Sequence, residues 1–403
     1  LIACSFAVLF TSPNAASKPN STYTEDPNIL ILNSYSHSFE WTASQTQGIL
    51  TTLHAKYPRI EPYIGSLDWK RHPDKENLDI EKRLLSYRLK NIHVDLIITT
   101  DDAAFSFALK ERKKLLSNAP IVFSGVNDYD PEKFAKYKNV TGIVEKIDVL
   151  DNINLIRSIH PDLQRIVFIG DNTESSYSIA NLFKSQIRQS GIKIPVDYWI
   201  GNTLRENCNK LKFLKKNSVV VLSTYSRDPE GPVYPTSHIA SKLYEYSPVP
   251  IYTFWKQLYL NDGALGGYLL DGQVHGSVAG RLALEVLMSK STKNTPIITR
   301  CESTPVFDYK KMQRFNISYS DIPKNSRIIN EPNYILSIKQ LREFTIIMIW
   351  LILALLGMLI MMLISIRKSK ALRNMQIKLS ERLKFEEVIL DAIPVPVFHK
   401  DLE

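Results

Sequence analysis

The chain has 403 residues, a formal net charge of +9 and three cysteines. That length can hold two lobes with separate cores, and three cysteines are too few for a disulfide scaffold. The basic excess is concentrated: seven Lys/Arg face one Glu between Arg367 and Lys384, a pattern of membrane topology and anionic lipid that argues against a nucleic-acid partner. The chain opens on an apolar run, Leu1–Phe10, followed by small polar residues, Thr11–Ser17. These are the h-region and cleavage region of an export signal over residues 1–16, with an uncleaved first span as the alternative. The run begins on Leu without a basic stretch before it, so an upstream start is expected. Cys4 resembles a lipoprotein attachment site, but apolar sequence continues past it. A linker over 17–27 comes next.

From there short apolar runs alternate with helical ones. Strands are expected at Asn28–Leu32, Ile60–Leu67, Val94–Thr99 and Ile121–Phe123, then at Arg165–Ile169, Val196–Ile200, Ser218–Leu222 and Ile251–Phe254. Helices are expected at Trp41–Lys56, Leu78–Lys90, Ala103–Leu116, Val149–Ile159, Ser175–Gln189, Leu204–Leu214, His238–Tyr246 and Val274–Met288. Continuous apolar strands separated by helices predict an α/β fold of parallel sheets covered on both faces. Two such sheets fit the length, with the first crossover between lobes near 128–140, where the sequence is polar and contains Pro131. Cys208 and Cys301 could pair in an oxidising space, and nothing in the sequence decides it.

Residues Phe344–Ile366 carry no charge. As a helix they extend about 34 Å, enough for a hydrocarbon core of about 30 Å, and so predict a transmembrane helix and not a buried core helix. A short juxtamembrane helix is expected at 333–343. The basic residues after Ile366 predict the C-terminal side in the cytoplasm and everything before Phe344 outside it, as in a single-pass membrane protein. A cytoplasmic helix is expected over 367–390. Leu372, Met375, Leu379 and Leu383 make an imperfect coiled-coil seam, interrupted by Arg382 and Glu386, that favours a homodimer.

In open parallel sheets ligands sit beyond the carboxyl ends of the strands. Those ends carry hydroxyl, amide and aromatic groups suited to a small polar solute. The candidates are Ser34, Tyr35 and Trp41; Thr100, Asp101 and Asp102; Gly125 and Asn127; Asp171 and Asn172; Thr224 and Tyr225; and Trp255 and Tyr268. Each alone has a plain structural account: Asp101 or Asp102 suits a helix N-cap, and Gly125 a turn. Catalytic constellations are missing from the sequence. No Gly-x-Ser-x-Gly, His-Glu-x-x-His or phosphate-loop motif occurs, the eight histidines are scattered, and no metal or cofactor is expected.

Three segments in order, Asn28–Tyr35 with Trp41-Thr42, Asp95–Asp102 and Pro120–Asn127, with Thr141–Glu145 after them, resemble the periplasmic-binding-protein-like domain related to ABC transporter solute-binding proteins of the type I fold. The tail Phe307-Asp308-Tyr309, Arg314–Ile317, Ile322-Pro323 and Ile328–Pro332 resembles the version of this domain fused to membrane sensors. The resemblance spans 28–332 and implies a two-lobed domain closing on a small-molecule ligand. Residues 385–403 resemble the opening of a PAS domain, with 391–403 its first strand region. Proteins in this order are bacterial receptors whose output is usually a histidine kinase, less often a diguanylate cyclase. That implies a response regulator as partner. The competing expectations are a membrane-tethered receptor that hands cargo to a permease and, far behind for want of a nucleophile–base pair, an ecto-hydrolase.

Overall fold

A computed structural model describes residues 26–392 apart from Asp128 and Glu302. The signal expected at 1–16, most of the linker and the PAS-like residues from 393 onward lie outside the described residues.

Residues up to Asn330 form one compact unit of two lobes. The first lobe holds a five-stranded sheet in the order β2-β1-β3-β4-β5. Its strands are β1 (Ile29–Asn33), β2 (Tyr63–Ser66), β3 (Leu96–Thr100), β4 (Ile121–Val126) and β5 (Val140–Val144), all parallel. β1 and β3 are buried along their whole length, which is why they read as unbroken apolar runs. Helices α1 (Glu40–Lys56), α2 (Lys75–Arg88), α3 (Asp101–Leu115) and the short α4 (Pro131–Phe134) connect them.

The second lobe holds a seven-stranded sheet in the order β12-β11-β10-β9-β8-β6-β7. Its strands are β6 (Arg165–Gly170), β7 (Val196–Ile200), β8 (Ser218–Leu222), β9 (Ile251–Thr253), β10 (Gly266–Tyr268), β11 (Pro305–Asp308) and β12 (Arg327–Ile329). Only β10 and β11 pair antiparallel. The helices are α5 (Val149–Ile159), α6 (Glu174–Ser190), α7 (Leu204–Leu211), α8 (Thr236–Tyr246), α9 (Lys256–Tyr259) and α11 (Tyr309–Arg314). A capping box starts α7: the Thr203 hydroxyl accepts from the Glu206 N–H (3.1 Å), and the Glu206 carboxylate accepts from the Thr203 N–H (2.8 Å). Thr203→Ala should lower stability in urea by about 1 kcal/mol.

The chain passes between the lobes three times. It leaves the first lobe at 145–148 and returns at 269–271 to lay α10 (Gly272–Ser289) against the first sheet. It leaves again at 299–304, after Ile298 has bridged to Ile143. The crossover expected near 128–140 therefore falls one strand too early. β5 was not expected as a strand because its glycine interrupts a short run. Yet it pairs with β4, and a Cβ on Gly142 would overlap the Phe123 carbonyl oxygen.

Helix α10 packs on α1 through glycines one turn apart. Gly272, Gly276 and Gly280 face Trp41, Gln45 and Thr52 of α1, while Gly48 of α1 faces the α10 backbone. Without side chains between them the two backbones approach closely. The tail after α10 completes the second sheet. There Lys311, 6% exposed, donates to Asp308 (2.7 Å) and to the Asn261 carbonyl (2.8 Å). Cys208 and Cys301 are both thiols.

Helix α12 (Asn333–Ala392) dominates the second unit, Glu331–Glu403. The helices expected at 333–343, 344–366 and 367–390 are one continuous helix of 60 residues, about 90 Å long. It is long and apolar enough to cross a membrane.

Candidate functional site

The carboxyl ends of both sheets face one cleft within the first unit, and its floor is built around Asp101. This residue opens α3 with φ +61°, a left-handed conformation that a non-glycine residue rarely adopts. Its carboxylate accepts from Trp41 Nε1 (3.0 Å) and, more distantly, from Gln45 Nε2 (3.5 Å). A matching pair stands beside it: Glu145, at the end of β5, accepts from Trp255 Nε1 (2.8 Å) across the cleft. Gly125 lets the two carboxylates converge. A Cβ there would lie 3.0 Å from Asp101 Oδ1, 3.3 Å from Glu145 Oε2 and 3.4 Å from Gln45 Nε2, and its φ of +82° suits glycine.

Two buried like charges this close resist ionising together. Burial, reinforced by Asp102, pushes the Asp101 carboxyl up to about 7, against the opposing bonds from Trp41 and Gln45. Burial and then the Asp101 charge hold Glu145 well above the usual carboxylate range.

Lys70, just beyond β2, faces them. Its ammonium lies 4.5 Å from the Tyr35 ring centre and 4.8 Å from that of Phe39, a cation–π clasp, and 3.4 Å from Ser226 Oγ of the other lobe. Burial lowers its pKa, while Asp171, Asp101 and Glu145 oppose that. Tyr35, whose hydroxyl pKa burial raises, lies beside Ser175 of the second lobe. Arg227 reaches back across the cleft to the carbonyls of Lys70 (2.7 Å) and Arg71 (3.0 Å), and Thr236 donates to Glu40 (3.0 Å). These bonds join the lobes in a closed arrangement.

The cleft gathers Tyr35, Trp41, Asp101, Gly125 and Trp255 of the sequence-predicted set. At its edge Asp102 is held by the exposed Asn127, through the backbone N–H (3.1 Å) and the side-chain amide (2.8 Å). Of the remaining candidates, Ser34, Thr100, Asp171 and Tyr225 serve the framework. Ser34 donates to the Thr100 carbonyl (2.6 Å) and accepts from the Ala104 N–H (2.8 Å), which fastens α3 to β1. Thr100 donates to the Asn33 side chain (3.1 Å). The Asp171 carboxylate is filled by Thr173, Ser226 and Arg227 donors and shapes the loop after β8. Tyr225 is fully buried, its hydroxyl spent on the Asn202 carbonyl (2.7 Å). Tyr268 packs against the second-lobe core, Asn172 is exposed, and Thr224 accepts the Asp171 N–H through its carbonyl.

Gln45, Lys70, Glu145 and Arg227 were missed. Glu145 comes after the unrecognised β5, and Lys70 lies four residues beyond a strand end. Gln45 is one helical turn from Trp41 and could have been found from that spacing.

A model of the family described as ABC transporter substrate binding protein matches residues 74–324. The chain belongs to this ABC transporter substrate-binding family. Its fold is that of the type I periplasmic binding proteins, as the similarity in order and strand ends implied. Among solved structures it is similar to an ABC domain from Streptococcus pneumonia in complex with L-Trp. That match has 16% identity and a TM-score of 0.53, and covers 75% of this chain and 100% of that one. A conserved domain protein from Vibrio cholerae matches at 16% identity and TM-score 0.56, over 75% of this chain and 99% of that one. CD0873, a substrate binding protein with adhesive properties from Clostridium difficile solved in a ligand-free, open form, matches at 15% identity and TM-score 0.55, over 76% and 100%. At these identities the likeness is one of fold. No curated protein matches the chain.

Proposed function

We propose that this substrate-binding domain is the extracytoplasmic sensor of a membrane receptor. It closes on a small solute bearing an ammonium group and passes the closure along α12 to a cytoplasmic output. The observation that carries the sensor reading is the helix itself. It runs unbroken for 26 residues beyond Ile366, about 39 Å, far more than an anchor needs. Leu372, Met375, Leu379 and Leu383 are all exposed along that stretch, a seam for a second copy of the chain. The basic residues from Arg367 onward support a cytoplasmic position for this end. The PAS-like residues beyond it fit a histidine kinase as output, with a diguanylate cyclase second. A response regulator would then be the downstream partner.

The ammonium assignment rests on the paired carboxylates. Asp101 and Glu145 converge on Gly125, and no cation among the described residues is bonded to either, while two indoles fix their positions. A cation entering there would restore the charged form of both. The L-Trp complex of the Streptococcus pneumonia domain is in keeping with such a ligand.

Delivery to a permease is the competing role, and one experiment separates the two. A Leu379→Cys chain in membranes, treated with a mild oxidant, should cross-link into dimers. The rate should change when free amino acids are added outside and stay constant with their N-acetyl derivatives. A cross-linking rate indifferent to every ligand that raises the melting temperature would sink the signalling role and leave the binding role intact. Alkaline phosphatase fused after Lys384 should be inactive, and an active fusion would reverse the orientation.

A further inference from the structure

A second cavity, of about 230 Å³, lies away from the cleft, at the hinge. Its walls include Leu270 and Asp271 of the second crossover, Ser303 of the third, His275 at the start of α10, Lys256, and Arg327 on the edge strand β12. His275 is 1% exposed, and neither ring nitrogen has a hydrogen-bond partner among the described residues. A buried imidazole with both nitrogens unspent, in a wall of a cavity, is a group awaiting a polar occupant. Burial holds it in the neutral form, pushing its pKa down to about 4, so at neutral pH it offers one donor and one acceptor.

The charges around it favour an anion. Lys256 and Arg327 are cationic, and among the described residues Arg327 has neither an ion pair nor a side-chain hydrogen bond. The one carboxylate in the wall, Asp271, is already covered by Lys256, by the Gln257 amide (2.7 Å) and by the Gln273 N–H (3.0 Å). A volume below the roughly 300 Å³ of ordinary ligand pockets limits the occupant to a few heavy atoms. A guanidinium fork matches a carboxylate in two-point contact.

We propose that the hinge cavity binds a small carboxylate and that the occupant biases lobe closure. Two of the three crossovers form its walls, and Ser303 ties them to the first by donating to Asp148 (3.1 Å). The His275 ring also lies 5.6 Å from that of Trp41, whose indole holds Asp101 in the cleft. A ring contact and a hydrogen bond therefore connect a wall of the hinge cavity to the floor of the cleft.

The test uses the full chain in detergent with isotope-labelled histidine, and sodium acetate as the probe. The His275 ring signal is assigned by its loss in His275→Gln. It should shift saturably with acetate and not with sodium chloride at equal ionic strength. Arg327→Ala, a change at an exposed edge-strand position, should weaken the acetate response at least tenfold. A His275 signal unmoved by acetate, or an Arg327→Ala titration that overlays the unmodified chain, would overturn the proposal. Neither result bears on the ligand of the main cleft.

Discussion

Asp101→Asn should lose at least about 30-fold in affinity for an ammonium-bearing ligand, because removing one member of a desolvated charge pair costs roughly 2–5 kcal/mol. The substitution keeps the shape. Asn adopts the left-handed conformation that Asp101 holds (φ +61°) more readily than most residues, and its carbonyl can still accept from Trp41 Nε1. The pH dependence supplies a second signature. A carboxyl raised to about 7 holds its proton more tightly in the folded chain than in the unfolded one. With respect to this group, then, the ligand-free protein is most stable below the ordinary Asp range. It loses stability as the pH rises from about 4 toward 7, by an amount on the order of a few kcal/mol. An ammonium ligand reverses the balance by expelling the proton, so its affinity should climb between pH 5 and 8. Asp101→Asn should flatten both curves and melt higher than the parent chain at pH 8 when no ligand is present. Calorimetric titration with free amino acids at several pH values reads the first effect, and thermal unfolding reads the second. Equal affinities in the two chains would remove the cation from the account of the cleft.

Gly276→Val should be the most damaging single change in the domain for stability, at about 3 kcal/mol or more. A Cβ on Gly276 overlaps the Gln45 carbonyl oxygen and stands 2.9 Å from the Gln45 Cα, so backbone and not a movable side chain is in the way. The gain in helix propensity on leaving glycine is at most about 1 kcal/mol and cannot offset the overlap. Gly280→Ala is the contrast. Its nearest neighbour is the Thr52 Cβ at 2.7 Å, with the Ile49 carbonyl oxygen at 3.3 Å, so α1 has to give by less than at Gly276 and the net loss of stability should be correspondingly smaller. The urea midpoints of the two variants measure the difference. Gly276→Val should also weaken ligand binding, since Gln45 and Trp41 ride on the displaced helix.

The strand ends were legible because buried parallel strands leave unbroken apolar runs, and the residues just after each run lie, by topology, at the cleft. Val149–Ile159, Val196–Ile200 and Ser218–Leu222 have the expected bounds. Short strands containing glycine, or held by few residues, escaped. β5 and β10 fall in this group, and so do β11 and β12 at the far edge of the second sheet. The missed β5 hid Glu145 and moved the crossover. Polar residues at strand ends divide by whether the backbone claims them first. Ser34 and Asp171 are consumed by neighbouring N–H groups, and Asp101 is not. That distinction needs the other strands in place, so residue type alone could not supply it.

The threefold passage of the chain between lobes has a consequence for how the protein comes to be folded. The first sheet waits for α10 to cover one face, and α1 meets α10 across more than 200 residues of sequence. The second sheet waits for β11 and β12, the last strands of the domain. Neither lobe can close its core until nearly the whole domain has been synthesised. Contacts of such long range make for slow folding. A chain made from its N-terminus therefore passes through two unfinished halves, and both are completed by its last stretch, from α10 to β12.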